Sequence, residues 1–281
     1  MKSLPINTFL GFDSSFAKSE LAFLGLPFDG TASFRAGSRF APDSVRLFSH
    51  GLETYSPYQD KDVLNKRICD CGNLELPFGN TKKALSIIEK TADKILRSDK
   101  KIIACGGEHL ITYPLLKSHV KKYPNLRLIH LDAHTDLRLD YLGEKLSHAT
   151  VIRLATELIK PENIYQFGIR SGEKAEFEWA RANTNFFPFE ISSMKNLEIP
   201  EKTPVYLTLD LDVLDPAYFQ GTGTPEPGGV TFTELLDGLL HLKKMHIVGA
   251  DVVELAPDYD SSGVSSITAA KLIREIALMM V

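Results

Sequence analysis

With 281 residues, 43% of them hydrophobic and 24% charged, the chain has the length and composition of a soluble globular protein with a large buried core. A net charge of -4 leaves no electrostatic footprint for nucleic acid or an anionic membrane, and suits a cationic ligand instead. No window approaches a membrane span, the opening MKSLPINTFLGFDSS lacks a signal-type apolar stretch, and Cys69, Cys71 and Cys105 make no disulfide framework, so a cytoplasmic protein with reduced thiols is expected.

Apolar runs of strand length recur along the chain, separated by segments of helical pattern. The first is LAFLGL at 21–26. The stretch 81–97 places Leu85, Ile88, Ala92 and Ile95 on one helix face, with Thr81 as the expected cap. KIIACGG (101–107), LRLIHLDAH (126–134), NIYQFGI (163–169) and VYLTLDLD (205–212) read as strands. The Gly- and Pro-rich stretch 216–229 is a loop, and 231–242 a helix opened by a Thr231–Glu234 capping box. IVGADVVEL (247–255) is the last strand and 268–280 the closing helix. Several runs are continuously apolar, as strands covered on both faces must be. With no repeat or linker, the expectation is one α/β domain over 1–281, a three-layer arrangement of a largely parallel central sheet flanked by helices.

Ligands of such sheets bind at the carboxyl ends of the strands, and the unusual polar residues fall there. Asp132-Ala-His134-Thr-Asp136 follows the strand at 126–131, and Asp210-Leu-Asp212 follows VYLTL. Gly106-Gly107-Glu108-His109 follows KIIAC, where the glycines are expected to permit a tight turn that re-aims His109. Glu254 ends IVGADVV. One such Asp reads equally well as a helix cap, and one such His as a structural residue. Four such motifs, each after a buried strand, point together to a metal site. Four carboxylates (Asp132, Asp136, Asp210, Asp212) and two imidazoles (His109, His134), without thiolate, suit manganese better than structural zinc. Six side chains suit two ions roughly 3.5–4 Å apart, bridged by carboxylates and a water.

In this order the motifs resemble those of the ureohydrolase family (arginases, agmatinases and relatives), with the bacterial agmatinases as the nearest subgroup. The resemblance runs through GLPFDGTASFRAGSRFAPDSVR (25–46), LETYSP, GGEH, DAHTDLR, LSHAT and FGIRSG to DLDVLDP, GTGTPEPGG and GADVVELAP, nearly the whole chain. It implies an arginase/deacetylase-like fold and two Mn2+ per subunit, one held by His109, Asp132, Asp136 and Asp210, the other by His134, Asp132, Asp210 and Asp212. It also implies that Asp136 orients a metal-bound hydroxide that attacks a guanidino group, that Glu254 holds the guanidinium, and that His148 contacts substrate or shuttles protons. A homo-oligomer, trimer or hexamer, is implied as well. The chemistry is coherent: a guanidinium is a poor electrophile, so water needs activation, and the departing amine needs a proton.

The loop Asp140-Tyr-Leu-Gly-Glu144-Lys-Leu-Ser147 is apolar and acidic where similar arginases carry a short polar loop for the substrate carboxylate. That favours agmatine, giving putrescine and urea, with Asp140, Glu144 or Glu173 complementing the distal amine. Guanidinobutyrate, guanidinopropionate, arginine and formiminoglutamate are the alternatives, and Lys145 is the candidate partner for an anionic tail. A phosphatase of the haloacid-dehalogenase type would leave DAHTD unexplained, and a non-catalytic scaffold would not need all six ligands. His130 is expected to support the site rather than bind metal, Cys105 to be packing, and Arg35, Arg39 and Arg46 to be structural ion-pair partners or subunit contacts.

Overall fold

The apolar runs become neighbouring strands in the computed structural model, which describes residues 8–281. In chain order the strands are β1 (Leu21–Leu26), β2 (Tyr55–Ser56), β3 (Lys61–Asp62), β4 (Ile68–Asn73), β5 (Lys101–Gly106), β6 (Arg127–Leu131), β7 (Ile164–Phe167), β8 (Asn185–Phe187), β9 (Pro204–Asp210) and β10 (His246–Val253). The helices are α1 (Ala41–Ser49), α2 (Thr81–Arg97), α3 (Thr112–Lys122), α4 (Val151–Ala155), α5 (Lys174–Asn183), α6 (Phe232–His241) and α7 (Val264–Met280). Eight strands form one sheet in the order β4-β1-β5-β10-β9-β6-β7-β8, and every pair within it is parallel. The short β2 and β3 pair antiparallel apart from it.

Parallel strands need crossovers, and the crossover helices cover both faces. Successive residues of β1 divide accordingly. Leu21 and Phe23 enter one core cluster with Val45 of α1, Leu235 of α6 and Leu272 of α7. Ala22, Leu24 and Leu26 enter the other with Ile88 of α2, Leu115 of α3, Ile152 of α4 and Ala180 of α5. The three-layer expectation is therefore met, and burial on both faces explains why the strands lack polar alternation.

Local differences from the sequence reading have physical causes. At α2 the cap is Asn80, not Thr81: the Asn80 side chain accepts from the Lys83 amide at 3.0 Å. The box at α6 does form, with Thr231 accepting from the Glu234 amide and Glu234 from the Thr231 amide. The closing helix starts at Val264, four residues before 268, after Gly263 at a φ of 75°. β4 and β8 are the two sheet edges, and neither reads as an apolar run, since ICDCGN alternates half-exposed and exposed positions after its first two residues and β8 has only three residues.

Candidate metal centre

The four central strands, β5, β10, β9 and β6, end side by side, so residues from segments far apart in sequence meet at one edge of the sheet. After β5 the chain turns through Gly106-Gly107 to His109. Neither glycine has a positive φ, so conformational freedom is not why they are there. A Cβ on Gly107 would lie 1.7 Å from the carbonyl oxygen of Phe28: the residue is glycine because two backbones touch. That contact, with the Glu108 amide donating to Phe28 at 2.7 Å, fixes where His109 starts.

The structure brings all six ligand candidates together. His109 Nδ1 stands 3.0 Å from Asp132 Oδ2 and 3.2 Å from both Asp136 Oδ2 and Asp210 Oδ2. Despite that crowd, His109 Nδ1 is buried and makes no properly directed hydrogen bond. His134 Nδ1 lies 2.9 Å from Asp212 Oδ2 and 3.5 Å from Asp132 Oδ1, so Asp132 is common to the two groups. Backbone amides hold the other carboxylate oxygens: His134 donates to Asp132 Oδ1, Asp212 to Asp210 Oδ1 and Ala133 to Asp212 Oδ1. The remaining oxygens of these three aspartates are thereby turned toward the imidazoles. Asp136 reaches the cluster from a left-handed backbone at a φ of 51°, and Glu254 from one at 64°. Such conformations in non-glycine residues persist only where surrounding contacts enforce them, and they concentrate at functional sites.

The electrostatics call for positive charge. Burial raises Asp210 well above the usual carboxylate range, helped by the charges of Asp212 and Asp132. Burial and Asp132 likewise raise Asp136. Burial opposes ionisation of Asp132 too, but the imidazole of His109 close by and the hydrogen bond from His130 hold it well below its ordinary value. An oxygen-rich donor set, an imidazole nitrogen with no partner and mutual carboxylate repulsion are what divalent cations would resolve. The residues fit a pair of such ions. No thiolate competes, since Cys105 is buried and burial pushes its thiol up to about 12. Cys69 and Cys71 are free, with sulfurs 3.9 Å apart on edge strand β4.

His130 takes its expected supporting place. Gln166 Nε2 donates to His130 Nδ1 at 3.2 Å, so Nε2 carries the proton and donates to Asp132 Oδ2 at 2.8 Å. Two of the three arginines are ion-pair partners, buried Arg46 gripping Asp70 and Arg39 pairing with Asp29; Arg35 instead lies over the rings of Phe34 and Tyr259.

A cavity of about 310 Å³ opens over the cluster, lined among others by Glu254, His148, Tyr141, Arg138 and Glu173. Glu254 is 9% exposed, and its Oε1 accepts from the His109 amide at 2.7 Å. Burial, then the neighbouring Glu108, raises its carboxyl well above the ordinary range. His148 lies with Nε2 3.2 Å from Ser33 Oγ and Nδ1 3.3 Å from Ser147 Oγ. Burial lowers its pKa against the pull of Asp136. Of the three acids proposed for the distal amine, Glu173 lines this cavity and Asp140 and Glu144 do not. Asp140 accepts from the Gly143 amide within its own loop, and Glu144 lines a neighbouring cavity. Lys145, the cation put forward for an anionic tail, is also absent from the lining; the cation there is Arg138, 3.2 Å from Glu173.

Sequence reasoning missed Glu108 and Thr31. Glu108 is fully buried, accepts from the Thr31 amide and hydroxyl, and is raised by burial to about 7. The Thr31 hydroxyl in turn accepts from the His148 amide at 3.1 Å. A carboxylate inside the buried GGEH turn was a signal for it; Thr31, 77 residues away, carried none.

The geometry has counterparts among known proteins. A model of the Arginase family matches residues 19–279. The chain is 47% identical over 275 residues to an agmatinase of Bacillus cereus, covering 96% of this chain and 95% of that one. Identity and coverage are the same for an agmatinase of Bacillus subtilis. The crystal structure of an agmatine ureohydrolase of Thermoplasma volcanium superposes with a TM-score of 0.89 at 31% identity, over 100% of this chain and 95% of that one.

Proposed function

This chain belongs to the Arginase family, and on that premise we propose that it hydrolyses agmatine to putrescine and urea. The observation that carries the reading is His109 Nδ1, buried and without a hydrogen bond while three carboxylates converge on it. His109, Asp132, Asp136 and Asp210 would hold one divalent ion, and His134, Asp132, Asp210 and Asp212 a second, with manganese the choice for this donor set. Bound there, the ions would supply Lewis acidity and make water a competent nucleophile near neutral pH.

The protein's own groups do the rest. Glu254 accepts from the His109 amide at Oε1 and keeps Oε2 for a guanidinium N–H, and a cation beside it offsets the burial and the Glu108 charge that raise its pKa. Holding the planar group in one orientation turns its carbon toward the cluster. Asp136, fixed by its left-handed backbone, accepts a hydrogen bond from the attacking water. His148 is neutral near pH 7 because burial disfavours its charge, so it can take a proton and deliver it to the departing amine. Glu173, at the rim, complements the distal amine of the substrate. Arg138 beside it supports a second reading, in which an anionic tail such as that of guanidinobutyrate pairs with the guanidinium. The protein also fits the cytoplasmic homo-oligomer that the family likeness implies, and exposed Phe34, Phe78 and Leu142 are apolar surface for such contacts.

Urea release with Mn2+, measured in parallel on agmatine, arginine and guanidinobutyrate, tests the proposal. Agmatine should show the highest kcat/KM. A preference for guanidinobutyrate would move the assignment to the second reading, and no urea from any of the three would end it.

A further inference from the structure

Beneath His109 lies a buried polar group that the reaction itself does not use. Asp251 is a charged residue inside the apolar run of β10, fully buried and without a cationic partner. Its Oδ2 accepts from the Tyr206 hydroxyl at 2.7 Å and its Oδ1 from Thr208 Oγ1 at 2.6 Å. Both donors sit on the adjacent strand β9, where Thr208 is directly opposite Asp251. Burial, then the charge of Asp251, holds the Tyr206 phenol well above its usual range, so it keeps its proton and donates it.

Counting protons then fixes the next bond. Thr208 has one hydroxyl proton, and the 2.6 Å contact with the Asp251 carboxylate takes it ahead of the Thr112 hydroxyl at 3.3 Å, which can donate to Thr208 instead. Toward His109 Nε2, 2.9 Å away, Thr208 can therefore only accept. Nε2 must carry a proton, which leaves Nδ1 as the lone pair in a neutral ring. That nitrogen is the one facing Asp132, Asp136 and Asp210. We propose that Asp251 is a positioning residue that selects the metal-binding tautomer of His109 through Thr208, with Tyr206 holding the carboxylate in place. The inference rests on the metal reading above. Were Asp251 replaced by an amide, its N–H could donate to Thr208, the Thr208 hydroxyl could turn to donate to Nε2, and the proton would move to Nδ1.

The test is Mn2+ titrated into metal-stripped protein, followed by calorimetry and by the electron-spin signal of free Mn2+. D251N should weaken one of two binding events about 10–100-fold, so that one ion remains bound where the unaltered protein holds two. T208S, which keeps the hydroxyl, should retain both, and T208V should behave as D251N does. Equal affinity of D251N and unaltered protein at both positions overturns this inference alone. Absence of binding by the unaltered protein overturns the metal reading beneath it. Should D251N fail to fold, the threonine variants decide the matter: T208V that binds both ions as tightly as T208S overturns the inference, and loss of one ion in T208V alone supports it.

Discussion

Two histidines, His109 and His119, sit in the interior within 1% exposure and share an unusual property: each has a ring nitrogen with no hydrogen bond. Their electrostatic fates are opposite. His109, at the carboxyl end of the sheet, is raised well above its ordinary value because the carboxylates of Asp132, Asp136 and Asp210 crowded against it overcome the cost of burial. His119, on α3, is surrounded by Tyr206, Tyr123 and the backbone of Gly249, and burial lowers it to about 4 against its hydrogen bond to Leu115. Burial alone makes a neutral packing histidine. Only the carboxylates gathered by neighbouring strand ends make one into a site.

The comparison breaks most sharply if Asp132 is removed, since it belongs to both halves of the cluster. D132A should lose more than about 100-fold in Mn2+ affinity, beyond what outer-sphere changes cost, with urea release falling to background. Retention of both ions, read by metal analysis after dialysis, would show that the shared carboxylate is not a bridge. Next comes His148, at the wall rather than in the cluster. H148A should lower turnover by about 10²–10⁴-fold while metal content stays unchanged; loss of metal would place His148 among the ligands.

The other histidine gives a smaller effect of a different kind. His119 titrates near 4 when folded and near 6.5 when unfolded, so the unfolded chain binds the proton first. The stability it contributes is complete above pH 6.5 and is lost as pH falls toward 4, by roughly 3 kcal/mol in all. The difference in denaturation midpoint between the unaltered protein and H119Q should narrow across that window, and a constant difference would mean His119 does not titrate there. Smallest is the rim: the exposed Glu173–Arg138 pair is worth at most about 1 kcal/mol, so E173Q should change the agmatine to guanidinobutyrate ratio of kcat/KM no more than about five-fold. A ratio that does not move at all would remove Glu173 from tail recognition.

The site was legible in the sequence to the extent that its residues directly follow apolar strands. Asp132, His134, Asp210 and His109 announce themselves as polar groups where a buried run ends. Gly107 was recognised for the wrong reason, because a contact with Phe28, 79 positions away, leaves no local mark. Partners joined across long separations were illegible for the same cause: Glu108 with Thr31, His109 with Thr208, and Arg138 with Glu173 meet only after the sheet has formed. Asp251 was the exception that could have been caught, a carboxylate in the middle of a central strand. The acidic loop at 140–147 misled in a simple way. Asp140 answers its own turn rather than the cavity, as loop carboxylates do.

The strand order has a consequence for how the protein is made. β10 comes last in the sequence of strands yet lies between β5 and β9, at the centre of the sheet. Until it is synthesised, β5 and β9 each present an open edge, and His109 after β5 has nothing to hold it in register with the ligand candidates after β6 and β9. Joining the two half-sheets through the last strand is a pairing of high contact order, the kind that folds slowly and leaves strand edges open meanwhile. Ion capture becomes possible only when one late strand threads the gap, which makes loading a reporter of completed folding.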